Sequence, residues 1–148
     1  MTGKFNKPDA VIIVPFHSKK AKLVIIEEFR VPLAGYQFGF PAGLVDPGES
    51  IEVAGARELK EETGLELTQV LRASPPVYST SGMTDESVCV LYAECSGEET
   101  NRHNESSEDI RVHYLSPQQA SEMLSNHDLK FDVKTWLVLS HFASTGSI

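Results

Sequence analysis

Apolar residues along this chain gather into short runs separated by polar or turn-forming stretches. Residues 10–15 (AVIIVP) and 22–28 (KLVIIEE) are near-continuous apolar runs, which predicts two central strands joined by a hairpin at residues 17–21. Residues 36–40 read as a short aromatic strand, with Tyr36, Phe38 and Phe40 alternating onto one face. Further strands are expected at 66–77, 86–93 and Ile110–Leu115. Residues 96–108 (SGEETNRHNESSE) are polar and acidic and read as an exposed loop. Pro117–Ser125 and 133–142 read as helices, the first capped by Ser116 with Pro117 at its first helical position.

One predicted helix has a different character. Ser50 is a good N-cap, Gly64 suits the left-handed residue that ends a helix, and no proline lies between them. Pro47-Gly48 just upstream is a turn signal. A loop followed by about three or four helical turns is therefore expected. Its acids crowd the second half, with Glu58, Glu61 and Glu62 at i, i+3 and i+4 on one face. Like charges at that spacing cost a few tenths of a kcal/mol, and acids near a helix C-terminus oppose the macrodipole. The cluster does not serve helix stability, and it is read as a place for a hard divalent cation.

Mixed strands, one central helix and a helical C-terminus predict an α/β sandwich, a mixed sheet covered by helices. The chain shows no internal repeat and no linker, so one domain over residues 1–148 is expected. At 41% hydrophobic and 23% charged residues, the composition is that of an ordinary globular protein. A net charge of −8 without any long Lys/Arg run argues against a general nucleic-acid binder. No apolar run approaches the ~20 residues of a membrane span, and the polar first residues show no leader. Cys89 and Cys95 lack metal-site spacing and read as buried free thiols, which suits the cytoplasm. His17, His103, His113, His127 and His141 also lack metal spacing, and no Ser, Cys and His set suggests acyl transfer.

Residues 43–65 resemble the Nudix box, G-x5-E-x7-R-E-U-x-E-E-x-G-U with U a bulky aliphatic. Gly43, Glu49, Arg57, Glu58, Leu59, Glu61, Glu62, Gly64 and Leu65 fill its fixed positions. The resemblance implies the Nudix fold, an α/β/α sandwich with a mixed sheet, over essentially the whole chain. It implies hydrolysis of a pyrophosphate bond in a nucleoside diphosphate linked to another moiety, with Mg²⁺ as cofactor and Mn²⁺ as a substitute. Carried over by position, Glu58 and Glu62 are the main metal ligands, Glu61 is a ligand or an acid just behind them, and the Ala42 carbonyl joins them. Arg57 pairs with Glu49 to hold the loop against the helix.

Glu27-Glu28-Phe29-Arg30-Val31-Pro32, Phe40-Pro41-Ala42-Gly43, Gly82-Met83-Thr84-Asp85-Glu86 and Glu108-Asp109-Ile110-Arg111-Val112-His113 resemble the ADP-ribose pyrophosphatase branch. That resemblance implies a small-molecule nucleotide substrate, with Arg30, Gly43, Met83 and Glu86 as substrate-binding residues. Glu58, Glu61, Glu105 and Glu108 form the catalytic set. The general base stays open among Glu105, Glu108 and Glu58, and Ser106 falls where some relatives carry a catalytic glutamate. Arg72 and Tyr78 are further candidates for the cleft. The branch also implies a homodimer, with neither a membrane nor a nucleic acid as partner.

Ser81 stands where the branch commonly has proline, Gly39 where it often has glutamate, and the segment before the first strand is short. A pyrophosphatase sanitising nucleoside triphosphates or oxidised nucleotides is the alternative enzyme. A non-catalytic nucleotide sensor is the alternative from another class.

Overall fold

The protein is described by a computed structural model covering residues 7–100 and 109–148. In chain order its elements are β1 (Ala10–His17), β2 (Lys22–Arg30), a 3-10 turn (Val31–Leu33), β3 (Gly35–Gly39), β4 (Ala42–Leu44) and α1 (Ile51–Thr63). Then come β5 (Glu66–Ala73), β6 (Val77–Tyr78), β7 (Ser87–Ser96), β8 (Ile110–Leu115), α2 (Pro117–Ser125) and α3 (Val133–Thr145).

The strands form one mixed sheet, and β1 lies parallel to β7 along its whole length, from Ala10↔Val88 to His17↔Cys95. Among the described residues the other strand pairings are antiparallel, and an isolated parallel bridge joins Phe38 to Phe131. The β1–β2 hairpin pairs only at Phe16↔Leu23 and His17↔Lys22. Beyond that point the two strands part. The freed edge of β2 is taken by β3 (Ile26↔Gly39 to Arg30↔Gly35), and the freed edge of β1 by β4 (Ala10↔Leu44 to Ile12↔Ala42). Phe40 and Pro41 carry the chain from one side of this split to the other, and the Pro41 carbonyl accepts from the Ile13 N–H at 2.9 Å. The split matters because the candidate site is built around it.

Strand alternation sends β1 side chains to two cores. Ile12 and Val14 join Leu23, Ile25, Phe38 and Phe40 against Ala120 of α2 and Leu139 and Phe142 of α3. Val11 and Ile13 join Leu91 and Ala93 against Ala54 of α1. Leu59 and Leu65 meet Val24 and Cys95 in a third cluster on the α1 side. Helices therefore cover both faces, which explains the unbroken apolar runs in β1 and β2. Gly55 allows the close approach of α1, since a Cβ there would lie 2.7 Å from Leu91 Cδ2.

The termini of α1 follow the sequence reading. Ser50 Oγ accepts from the Val53 N–H at 3.1 Å, and Gly64 adopts φ 82°. The helix expected at 133–142 runs on to Thr145, capped by Asp132 and closed by Gly146. The expected strand 66–77 is corrected. The Ser74 N–H still donates to the Val90 carbonyl, and the Val90 N–H donates to Ser74 Oγ, but Pro75 and Pro76 have no N–H to give the ladder, so β5 ends at Ala73 and β6 starts at Val77. The strand expected at 86–93 spans Ser87–Ser96. Among the described helices, none is long and apolar enough to cross a membrane.

Candidate active site

The loop before α1 is tied to the helix by one side chain. Arg57 Nε donates to Glu49 Oε2 and Nη2 to Glu49 Oε1, both at 2.8 Å, in a bidentate pair. Nη2 also donates to the Leu44 carbonyl at 3.0 Å, and Nη1 to Glu58 Oε1 at 2.9 Å. Glu49 in turn accepts from the Asp46 N–H at 2.8 Å, closing the loop on itself. The Arg57 hydrogen bonds hold the Glu49 carboxyl down at about 2, and the Glu49 bonds push the Arg57 guanidinium above its ordinary range. The sequence pairing of Arg57 with Glu49 is present, and Arg57 does more than expected by also reaching Glu58 and, at 3.5 Å, Glu61.

Two α1 carboxylates lie on the backbone of β4. Glu62, only 6% exposed, accepts from the Ala42 N–H through Oε2 at 2.8 Å. The Glu58 carboxylate rests against Gly43, where a Cβ would fall 2.1 Å from its carboxyl carbon. Gly43 thus forms a cradle that any side chain would fill. Glu61 is more open and faces Arg57. The helix and the strand therefore bring Ala42, Gly43, Glu58, Glu61 and Glu62 together.

This donor set consists entirely of oxygen, the kind a hard divalent cation takes, and the missing side chain at Gly43 leaves room for the Glu58 carboxylate. The chemistry of the residues fits such an ion. Among the described residues, no three His, Cys, Asp or Glu side chains are already gathered around one point, because Glu58 and Glu62 are turned onto protein donors.

Beside Ala42 and Glu62 lies a cavity of about 180 Å³, lined also by Glu28, Arg30, Gln37, Gly39, Phe40, Asp132 and Lys134. It sits at the split in the sheet and draws residues from α1, β2, β3, β4 and the start of α3. Arg30, read from the sequence as a substrate-binding residue, is among the lining residues. Glu28 stood in the branch-like segment 27–32 without a role of its own, whereas Gln37, Asp132 and Lys134 fell in no motif, because the fold gathers them from separate elements. Met83 is 89% exposed and Glu86 is also exposed, and neither lines this cavity. Glu105 and Glu108 lie outside the described residues.

Several other candidates have structural partners. Phe38 and Phe40 are buried in the core, whereas Tyr36 donates to Asp109 at 2.5 Å. Arg72 stacks over the Tyr92 ring at 4.1 Å, and Tyr78 is exposed. His17 is buried between the Gly97 carbonyl at 2.9 Å and the Lys20 N–H at 3.2 Å, where its ring braces a turn. Burial pushes the Cys95 thiol up to about 12 and raises that of Cys89, so neither is a ready nucleophile.

Residues 6–137 match the family described as NUDIX domain. The chain is 41% identical over 90 residues to ADP compounds hydrolase NudE of Escherichia coli K12, covering 58% of this chain and 47% of that protein. It is 30% identical over 129 residues to ADP-ribose pyrophosphatase of Bacillus subtilis, covering 86% of this chain and 68% of that protein. A crystal structure of ADP compounds hydrolase superposes with a TM-score of 0.70 at 26% identity, covering 94% of this chain and 75% of that one. The chain spans about half the length of several curated relatives it matches.

Proposed function

The chain belongs to the NUDIX domain family, and on that premise we propose that it hydrolyses the pyrophosphate bond of ADP-linked compounds, ADP-ribose foremost. The observation that carries this reading is the laying of Glu58 and Glu62, from one helix, onto the Gly43 and Ala42 backbone. Glu62 and Ala42 of that arrangement also line the cavity that holds Arg30. The names of the relatives, ADP-ribose pyrophosphatase and ADP compounds hydrolase, support the ADP-linked class.

In this reading Glu58 and Glu62, with Glu61 and the Ala42 carbonyl, hold divalent cations of the Mg²⁺ class. A bound cation supplies charge neutralisation of the diphosphate and a more acidic water. The chain's own residues do the rest. Arg57 fixes Glu58 and the loop, so the carboxylates keep their places on the helix. Arg30 faces the diphosphate as a cation. In the reaction the water oxygen bonds to one phosphorus and the bridging P–O bond breaks. The water proton passes to a carboxylate, and AMP and ribose 5-phosphate leave. Glu58, Glu105 and Glu108 are the acids proposed for that proton. We place the enzyme in the cytoplasm, as a homodimer acting on a small nucleotide.

The test is a Mg²⁺ assay over ADP-ribose, ADP-glucose, GDP-mannose, diadenosine polyphosphates, NADH and 8-oxo-dGTP. Phosphomonoester products are read through a coupled phosphatase. Preferential cleavage of ADP-ribose supports the reading. Preferential cleavage of 8-oxo-dGTP would overturn the substrate class, and binding without cleavage of any compound would overturn the enzyme.

A further inference from the structure

Lys134 is the second cation of the cavity, on the wall contributed by α3. It lines the polar cavity together with Arg30, Ala42 and Glu62. It also lines a separate, mostly apolar cavity of about 340 Å³ formed with Val77, Tyr78, Val88, Val90 and Leu137. Asp132 and Lys134 belong to both linings, so the two cavities share this part of α3 as a wall. Gly39 keeps the polar cavity open at that point, since a Cβ there would stand 3.2 Å from Asp132 Oδ2.

The two cations are held only loosely by protein acids. Arg30 meets Glu28 at 3.6 Å and Lys134 meets Asp132 at 3.2 Å, with side chains 53% and 40% exposed. The acids are 23% and 20% exposed, so these pairs are half-exposed on the cation side, where water screens them and leaves the cations open to a ligand. A phosphate offers both cations shorter, charge-assisted hydrogen bonds. A nucleoside diphosphate carries its negative charge one ribose away from a flat base with apolar faces. A cation standing between a polar and an apolar cavity matches that sequence of groups.

We infer that Lys134 is a substrate-binding residue that takes a phosphate of the substrate together with Arg30, with the apolar cavity beside it taking the nucleobase. This rests on the ADP-linked reading above and adds to it a residue outside the motif. Lys134 belongs to the binding of substrate and not to the bond-breaking step.

The experiment compares the whole chain with K134A and K134R, using calorimetric titration of ADP-ribose and steady-state kinetics with Mg²⁺. K134A is expected to raise both Kd and KM about tenfold, with kcat within about threefold, as for an interaction made equally in ground and transition states. K134R is expected to restore most of the affinity, since a guanidinium keeps the charge. Thermal melts check folding, and the exposed position of Lys134 leaves the melt of either variant near that of the parent chain.

If the parent chain cleaves ADP-ribose and K134A matches it in Kd and KM within twofold, the assignment of Lys134 is wrong and the hydrolase reading stands. If the parent chain binds ADP-ribose without cleaving it and K134A binds tenfold more weakly, the hydrolase reading fails and the assignment stands. A parent chain that does not bind ADP-ribose overturns both.

Discussion

Arg57 and Glu49 meet through two parallel hydrogen bonds of 2.8 Å, across one turn of loop and two turns of helix. The same guanidinium reaches the Leu44 carbonyl and Glu58. Arg57→Lys keeps the charge and loses the fork. A loss of about 2 kcal/mol is expected from charged hydrogen bonds in a half-buried setting. That lowers the melting temperature by about 4–8 °C for a chain of this size. A thermal melt of Arg57→Lys checks it, and a melt within 1 °C of the parent, about the effect of a neutral surface change, would contradict it.

Acid should weaken the same pair. The Glu49 carboxyl is held at about 2, below its ordinary value of 4.5, by the Arg57 hydrogen bonds. A depressed carboxyl contributes its stability in full above the unfolded-state value and loses it as pH falls through the folded value. The contribution of Glu49 is therefore complete above about pH 4.5 and disappears toward about pH 2. Urea unfolding of the parent chain and Glu49→Gln across that range checks this. The gap between their midpoints should narrow steadily on acidification, and a constant gap would contradict the role of the pair.

Gly43→Ala separates the site from the fold. The new Cβ would stand 2.1 Å from the Glu58 carboxyl carbon, which lies at the end of a flexible side chain and can swing away. Stability should change little, with a melt within about 2 °C of the parent. The displaced carboxylate should cost roughly a hundredfold in kcat, the scale of a misplaced reacting group. Paired melts and ADP-ribose kinetics check both halves.

Glu62→Ala and Glu62→Gln are expected to differ in stability. Alanine removes the acceptor of the Ala42 N–H, and losing this part-buried hydrogen bond costs about 1 kcal/mol. Glutamine keeps an oxygen for that N–H and should fold like the parent chain. Urea midpoints for the two variants check this, and equal midpoints would show that the Ala42 bond contributes nothing.

Much of α1 was legible before the structure. Ser50, Gly64 and the spacing of Glu58, Glu61 and Glu62 are local, and local chemistry dictates caps and helix faces, whereas the Arg57–Glu49 pair was implied by the family resemblance. The hairpin and the doubly buried β1 were legible for the same reason, since both faces of an apolar run must be covered. The break at Pro75-Pro76 was missed because the apolar pattern continues across it while the hydrogen-bond ladder does not. Lys134 and Asp132 were invisible because their neighbours in the cavity, Arg30, Gly39 and Glu62, are distant in sequence. Only the parting of β1 from β2, with β3 and β4 filling the two edges, brings them together.

The most direct measurement is the Mg²⁺-dependent turnover of ADP-ribose by the parent chain and by Glu62→Gln, with a melt of each. The expected result is cleavage to AMP and ribose 5-phosphate by the parent chain. In the variant, kcat should fall by roughly a hundredfold or more while the melt stays unchanged, because the amide keeps the Ala42 bond and loses the negative charge. Equal rates in the two proteins would contradict the assignment of the α1 carboxylates to the chemistry.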